Sequence, residues 1–128
     1  MSAGLAVNAY RQVARQGVPE DKLLVLGLDG ILEYMRRAKA AVDGGALADK
    51  VFALNRAQQL VEHLLAALPE EGDAQRGALT QRLAGIYRYV LERLYHANIF
   101  DDTAALDDCA AVVVALRDSW VEGLQQQA

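Results

Sequence analysis

Residues 47–69 read LADKVFALNRAQQLVEHLLAALP, and the fold class turns on this stretch. Leu47, Val51, Leu54, Val61, Leu64, Leu65 and Leu68 recur at steps of three and four, which aligns them along one face of a helix. Pro69 has no N–H to donate and ends the run. Moving towards the C-terminus, Pro69 to Gly72 form a break, and residues 73–98 repeat the pattern with Leu79, Leu83, Ile86, Tyr87, Val90, Leu91 and Leu94, leaving Arg82, Arg88, Glu92 and Arg93 to water. A second break at Asp101 to Thr103 offers Asp102 or Thr103 as the cap of a further helix over 103–124, which carries Leu106, Cys109, Val112, Val113, Leu116 and Trp120. Gln125 to Gln127 reads as a frayed tail.

Moving towards the N-terminus, Gly44 and Gly45 separate the starting stretch from a helix over 20–43, with Gly44 expected to take the left-handed stop. That helix opens on Pro19, Glu20 and Asp21, which suit the free N–H groups and positive dipole end of a first turn. Before it, residues 1–16 carry Leu5, Val7, Tyr10 and Val13 in a segment too short to be helical alone, so it orders by docking. Four long helices with short links run up, down, up, down. The expected fold is therefore one all-α domain over 1–128, an antiparallel four-helix bundle with a short extra N-terminal helix.

Composition agrees with that reading. Apolar residues make up 53% of the 128 but aromatics only 6%, a bias towards helix over strand. Thirteen basic against seventeen acidic side chains leave a net charge of −4, and no basic stretch is long enough to track a phosphate backbone, so nucleic acid is not an expected partner. The sole cysteine, Cys109, lies among Ala and Val and reads as a buried structural thiol in a reducing compartment. Met1 to Tyr10 lack a signal peptide's basic start and apolar run, and no segment has the apolar length to cross a bilayer; the expectation is a soluble cytoplasmic protein with no membrane partner.

The apolar content exceeds what one bundle core can hide. A bundle helix needs a stripe of about three positions per heptad. Leu23-Leu24-Val25-Leu26, followed by Leu28, Ile31 and Leu32, goes beyond it, as does the run from Cys109 to Leu116, which includes Val113 and no polar side chain. Neighbouring side chains on a helix point in different directions, so these runs cannot all face inward. The N-terminal segment, with Tyr10 as plug, is one cover for the excess; a bound polypeptide or a homodimer is another.

Groups that carry chemistry are not assembled. Glu62 adjoins His63, and Glu92 and His96 are one turn apart, but there is no second set to complete a bundle di-metal centre. His63 with Leu65 lacks the Lys and Gly that continue a phosphotransfer motif, with Ala66 and Ala67 in their place. Gly27-Leu28-Asp29-Gly30 is too short for a phosphate loop; its glycines permit close approach by a neighbouring helix or by a bound chain. No catalytic residue, metal or cofactor is expected.

Several motifs in order along the chain resemble a known family. Asn8-Ala9-Tyr10, the Leu-rich run ending in Leu28-Asp29-Gly30, Arg37-Ala38-Lys39, Arg56-Ala57-Gln58 with Leu60 and Val61, Leu94-x-x-Ala97-Asn98 followed by Asp101, and Leu116-Arg117-x-x-Trp120 together resemble the flagellar secretion chaperone FliS family. The resemblance implies a helical bundle that binds the C-terminal segment of flagellin, prevents premature polymerisation and delivers it to the flagellar export apparatus. It implies that Asn8, Ala9 and Tyr10 cap the client groove, and that Leu28, Ile31 and the stretch from Arg56 through Gln58 to Val61 touch the client. With Tyr10, and with Leu24 and Val113 from the surplus runs, these form the expected client-binding set. Two positions depart from the family pattern: Leu28 stands where tyrosine usually precedes Asp-Gly, and Leu68-Pro69 stands where Leu-Asp is usual. A helical chaperone or adaptor for another secreted protein is the alternative reading.

Overall fold

The computed structural model describes residues 21–69 and 74–126. These form four helices with no strand among the described residues: α1 (Asp21–Asp43), α2 (Leu47–Ala66), α3 (Ala74–Phe100) and α4 (Thr103–Gln126). The segment over 1–16, and with it the expected extra helix, lies outside the described residues.

The ends of the helices follow from local chemistry. α1 closes in a Schellman arrangement, with Ala46 N–H donating to Ala41 O at 2.8 Å and Gly45 N–H to Val42 O at 3.2 Å. The left-handed residue is Gly45, at φ +68°, and not Gly44 as the sequence suggested. The stop falls one residue later because Gly44 N–H still bonds Ala40 O at 2.9 Å and so completes the last helical turn. α2 stops short of Pro69, its final turn tightening as Ala67 N–H reaches His63 O and Leu68 N–H reaches Leu65 O. α3 continues to Phe100 and ends at Asp101, a left-handed non-glycine at φ +52°. One residue on, Asp102 caps α4, its Oδ1 accepting from Ala104 N–H at 3.0 Å and Ala105 N–H at 3.2 Å.

α1 packs on α2 and α4, and α3 packs on the same two, so the helices enclose one core. α1 contributes Leu24, Leu28, Ile31, Met35 and Ala38 to it, a stripe at steps of four and three. Facing it are Leu54, Ala57 and Val61 of α2, Tyr87, Val90 and Leu94 of α3, and Leu106, Cys109, Val113 and Trp120 of α4. Fully buried alanines at 38, 57 and 97 let the helices approach closely. Gly30 does the same, since a β-carbon there would stand 3.1 Å from Leu60 Cδ1; Gly27 is looser, at 3.6 Å from Leu64 Cδ2. The glycine step in α1 therefore serves contact with α2.

Among the described residues, three lysine or arginine ion pairs join different elements. Asp29 accepts from Arg117 Nε at 2.5 Å and Asp107 from Lys39 Nζ at 2.8 Å, linking α1 to α4 in the first half of α1 and again near its C-terminal end. Lys50, buried in the first turn of α2, donates to Asn98 O at 3.0 Å and to Asp101 Oδ1 at 2.6 Å. Its charge opposes the dipole of its own helix but lies at the negative end of α3, and the Asp101 carboxylate balances it. That pairing supports the left-handed turn at Asp101.

Candidate functional site

The apolar runs divide once the helices are packed. In Leu23 to Leu26, Leu24 is buried and Val25 half-buried against the core, while Leu23 and Leu26 are 55% and 64% exposed. In Cys109 to Leu116, Cys109, Val113 and Leu116 face inward and Val114 outward. Other large apolar side chains stand open: Leu47 on α2, together with Tyr95, Ile99 and Phe100 near the end of α3.

Among the described residues, the surface has two hollows with apolar walls. One, of about 540 Å³, lies between α3 and α4, lined by Gly85, Ile86, Tyr89 and Val112 with Arg82 at its rim. A β-carbon added at Gly85 would meet nothing within 4 Å, so the trough exists partly because no side chain fills it. The second, of about 430 Å³, runs along α3 over Leu91, Tyr95, Ile99 and Phe100, with Arg88, Glu92 and His96 as its polar members. Both offer apolar walls with charged margins, which suits an apolar side chain on a polypeptide.

The expected site residues fall differently. Leu24, Leu28, Ile31, Val61 and Val113 are each 4% exposed or less and form the interior of the bundle. The reason is geometric: they occupy the core stripe of their helices, so the surplus falls to neighbours such as Leu23 and Leu26. Gln58 is half-buried on α2. Asn8, Ala9 and Tyr10 lie outside the described residues. The exposed Tyr89 and Ile99 and the trough at Gly85 were not singled out from sequence; they lie on α3, whose inward stripe already looked complete.

Of the four polar groups weighed for chemistry, Glu62, Glu92 and His96 are engaged in structure. Glu62 accepts from Tyr95 Oη at 3.3 Å, and Glu92 from Arg93. His96 Nε2 lies 3.1 Å from Asp102 Oδ2, and His63 is exposed. The Asp102 carboxyl is held below its usual range, chiefly by the Ala105 N–H and then by His96 and the Ala104 N–H. Burial pushes the Cys109 thiol up to about 12, so it stays protonated and bonds weakly to Leu106 O. No group of three metal-ligating side chains occurs among the described residues, and no helix there is long and apolar enough to cross a membrane.

A family model described as flagellar protein FliS matches residues 3–127. The chain belongs to the FliS family. Similar proteins include the flagellar secretion chaperone FliS of Escherichia coli (strain K12), 29% identical, with 97% of this chain and 93% of the relative covered. The flagellar secretion chaperone FliSB of Pseudomonas aeruginosa is 28% identical, with 94% and 96% covered, and FliS of Bacillus subtilis 26%, with 94% and 86%. FliS is thus a chaperone family. In this FliS-family chain, several residues that carried the resemblance prove to be joints of the bundle. Asp29 meets Arg117, Asp101 meets Lys50, Lys39 meets Asp107, and Ala38, Ala57, Ala97 and Trp120 are buried.

Proposed function

We propose that this chain is a cytoplasmic export chaperone, not an enzyme, which binds the C-terminal segment of flagellin, prevents premature polymerisation and delivers it to the flagellar export apparatus. The observation that carries this reading is the apolar trough between α3 and α4, open on the surface of a chain that belongs to a chaperone family. The helices run up, down, up, down, a reading supported by pairings that join the first half of one helix to the second half or end of a neighbour: Gly30 of α1 with Leu60 of α2, Lys50 of α2 with Asp101 after α3, and Asp29 of α1 with Arg117 of α4.

The client segment lays its apolar side chains along the outer edges of α1 and α4 and into the trough between α3 and α4, with Leu23 and Leu26 on α1, Tyr89 on α3 and Val114 on α4 as contacts. Leu24, Leu28, Ile31, Val61 and Val113 act from beneath as the floor that sets their positions, and Gln58 offers a polar contact at the edge. The cap role of Asn8, Ala9 and Tyr10 rests on the family resemblance. A client that folds as it binds spends about 2–5 kcal/mol on ordering, which apolar burial at about 25 cal/mol per Å² must exceed.

Calorimetric titration with the last few dozen residues of flagellin tests this. A clearly negative heat-capacity change with little dependence on salt is expected. A steep loss of affinity with salt would contradict an apolar groove, and failure to bind flagellin alongside capture of another exported protein would favour the general export-adaptor reading.

A further inference from the structure

Tyr34 on α1 and Phe52 on α2 meet edge to face, with ring centroids 6.4 Å apart and planes at 75°, away from the trough described above. Phe52 is 54% exposed. An arginine lies against each ring: the Arg37 guanidinium carbon is 5.6 Å from the Tyr34 centroid, and that of Arg56 is 5.4 Å from the Phe52 centroid. The two arginines are not equivalent. Arg37 donates its Nε to Glu33 at 3.0 Å, and Arg36 takes the same carboxylate with two bonds. Glu33 is lowered to about 2, first by Arg36 and then by Arg37, so it is spoken for at any ordinary pH. Arg56 has no carboxylate partner among the described residues, and Asp49, two turns earlier on α2, forms no ion pair with it.

A guanidinium resting on an aromatic ring is oriented in advance and partly shielded from water on one side, while its fork of N–H donors stays available at the edge. Beside it, Phe52 supplies open apolar surface. The pair therefore presents a two-part contact, a charged fork next to a ring. A carboxylate with an adjacent apolar side chain matches it, and on a chain of net charge −4 this local excess of guanidinium marks where an acidic group can be held. We infer that Arg56, on the Tyr34–Phe52 ridge, holds a carboxylate of the exported client that is flanked by an apolar side chain, an inference that rests on the client-binding reading above.

The test titrates the full chain with the flagellin C-terminal segment, using the parent chain, Arg56→Gln and Arg56→Lys. Each Asp or Glu of the segment is also replaced in turn by its amide. Arg56 is exposed and its side chain makes no hydrogen bond or ion pair among the described residues, so unfolding midpoints should agree across the variants. Arg56→Gln should weaken binding about tenfold, and Arg56→Lys should recover only part of that, because an ammonium lacks the planar fork. One amide replacement in the client should cause the same loss, and combining it with Arg56→Gln should add nothing further. Equal binding by the parent chain and Arg56→Gln, or losses that add for every client acid, would overturn the inference while leaving the client reading intact. Absence of any binding by the parent chain would overturn both.

Discussion

The two sides of α4 are built differently. Against α1 it forms a closed seam: core side chains fill the space between them, and Asp29 with Arg117 and Lys39 with Asp107 bridge the outside. Against α3 it leaves a trough of about 540 Å³, because Gly85 contributes no side chain and Ile86, Tyr89 and Val112 form walls without closing over it. One helix thus faces a neighbour across charged bridges on one side and across open apolar surface on the other. The contrast teaches that an apolar trough opens on a small bundle where a glycine leaves space between two helices, while charged bridges and filled core positions close the opposite seam.

Filling the open side should have the largest effect. Gly85→Leu places a side chain where nothing now lies within 4 Å and removes a glycine from a helix interior. Stability should rise by about 0.5–1 kcal/mol in urea unfolding, while capture of the flagellin segment should weaken about tenfold or more, as one apolar contact is lost from the trough. Stronger folding with unimpaired capture would show that the trough is not where the client sits. Opening the closed side should have the reverse signature. Asp29→Ala should cost about 0.5–1 kcal/mol, the range for a partly exposed ion pair, with client affinity unchanged. A large loss of affinity there would erase the difference between the two seams.

The smallest effect concerns the short link that sets α4 beside α3. The folded-state pKa of Asp102 is depressed, so its contribution to stability is present above the unfolded value of about 3.9 and fades as pH falls through the lower folded value. Acid unfolding should therefore begin to weaken the start of α4 below about pH 4. Asp102→Asn keeps an N-cap but removes the titration, so the slope of stability against pH in that window should shrink. An unchanged slope would mean that other carboxylates, such as Glu33, dominate it.

Much of the helical layout was legible from residues 47–69 outward, because a period of three and four is a local property and proline or glycine breaks it locally. The candidate surface was less legible. A run such as Leu23 to Leu26 says that some leucines must face out, but not which. Only the rotation of α1 against α2 and α4 put Leu24 inside and left Leu23 and Leu26 exposed. The ridge formed by Tyr34, Phe52 and Arg56 escaped the periodic reading for a related reason: Phe52 lies beside the inward stripe of α2, and although Arg56 is one turn on along the same helix, the ring that meets Phe52, Tyr34, is on another.

Sequence by itself determined that the described chain is all-helical in four pieces, that its links are short, and that apolar side chains outnumber the interior positions. Tertiary structure decided what local pattern cannot encode. It placed Lys50 at the end of a helix some fifty residues further on, set the left-handed turns at Gly45 and Asp101, and opened a trough beside Gly85. The physical reason is that helix formation depends on neighbours three or four residues apart, whereas burial, charge pairing and open grooves depend on how separate helices turn towards one another.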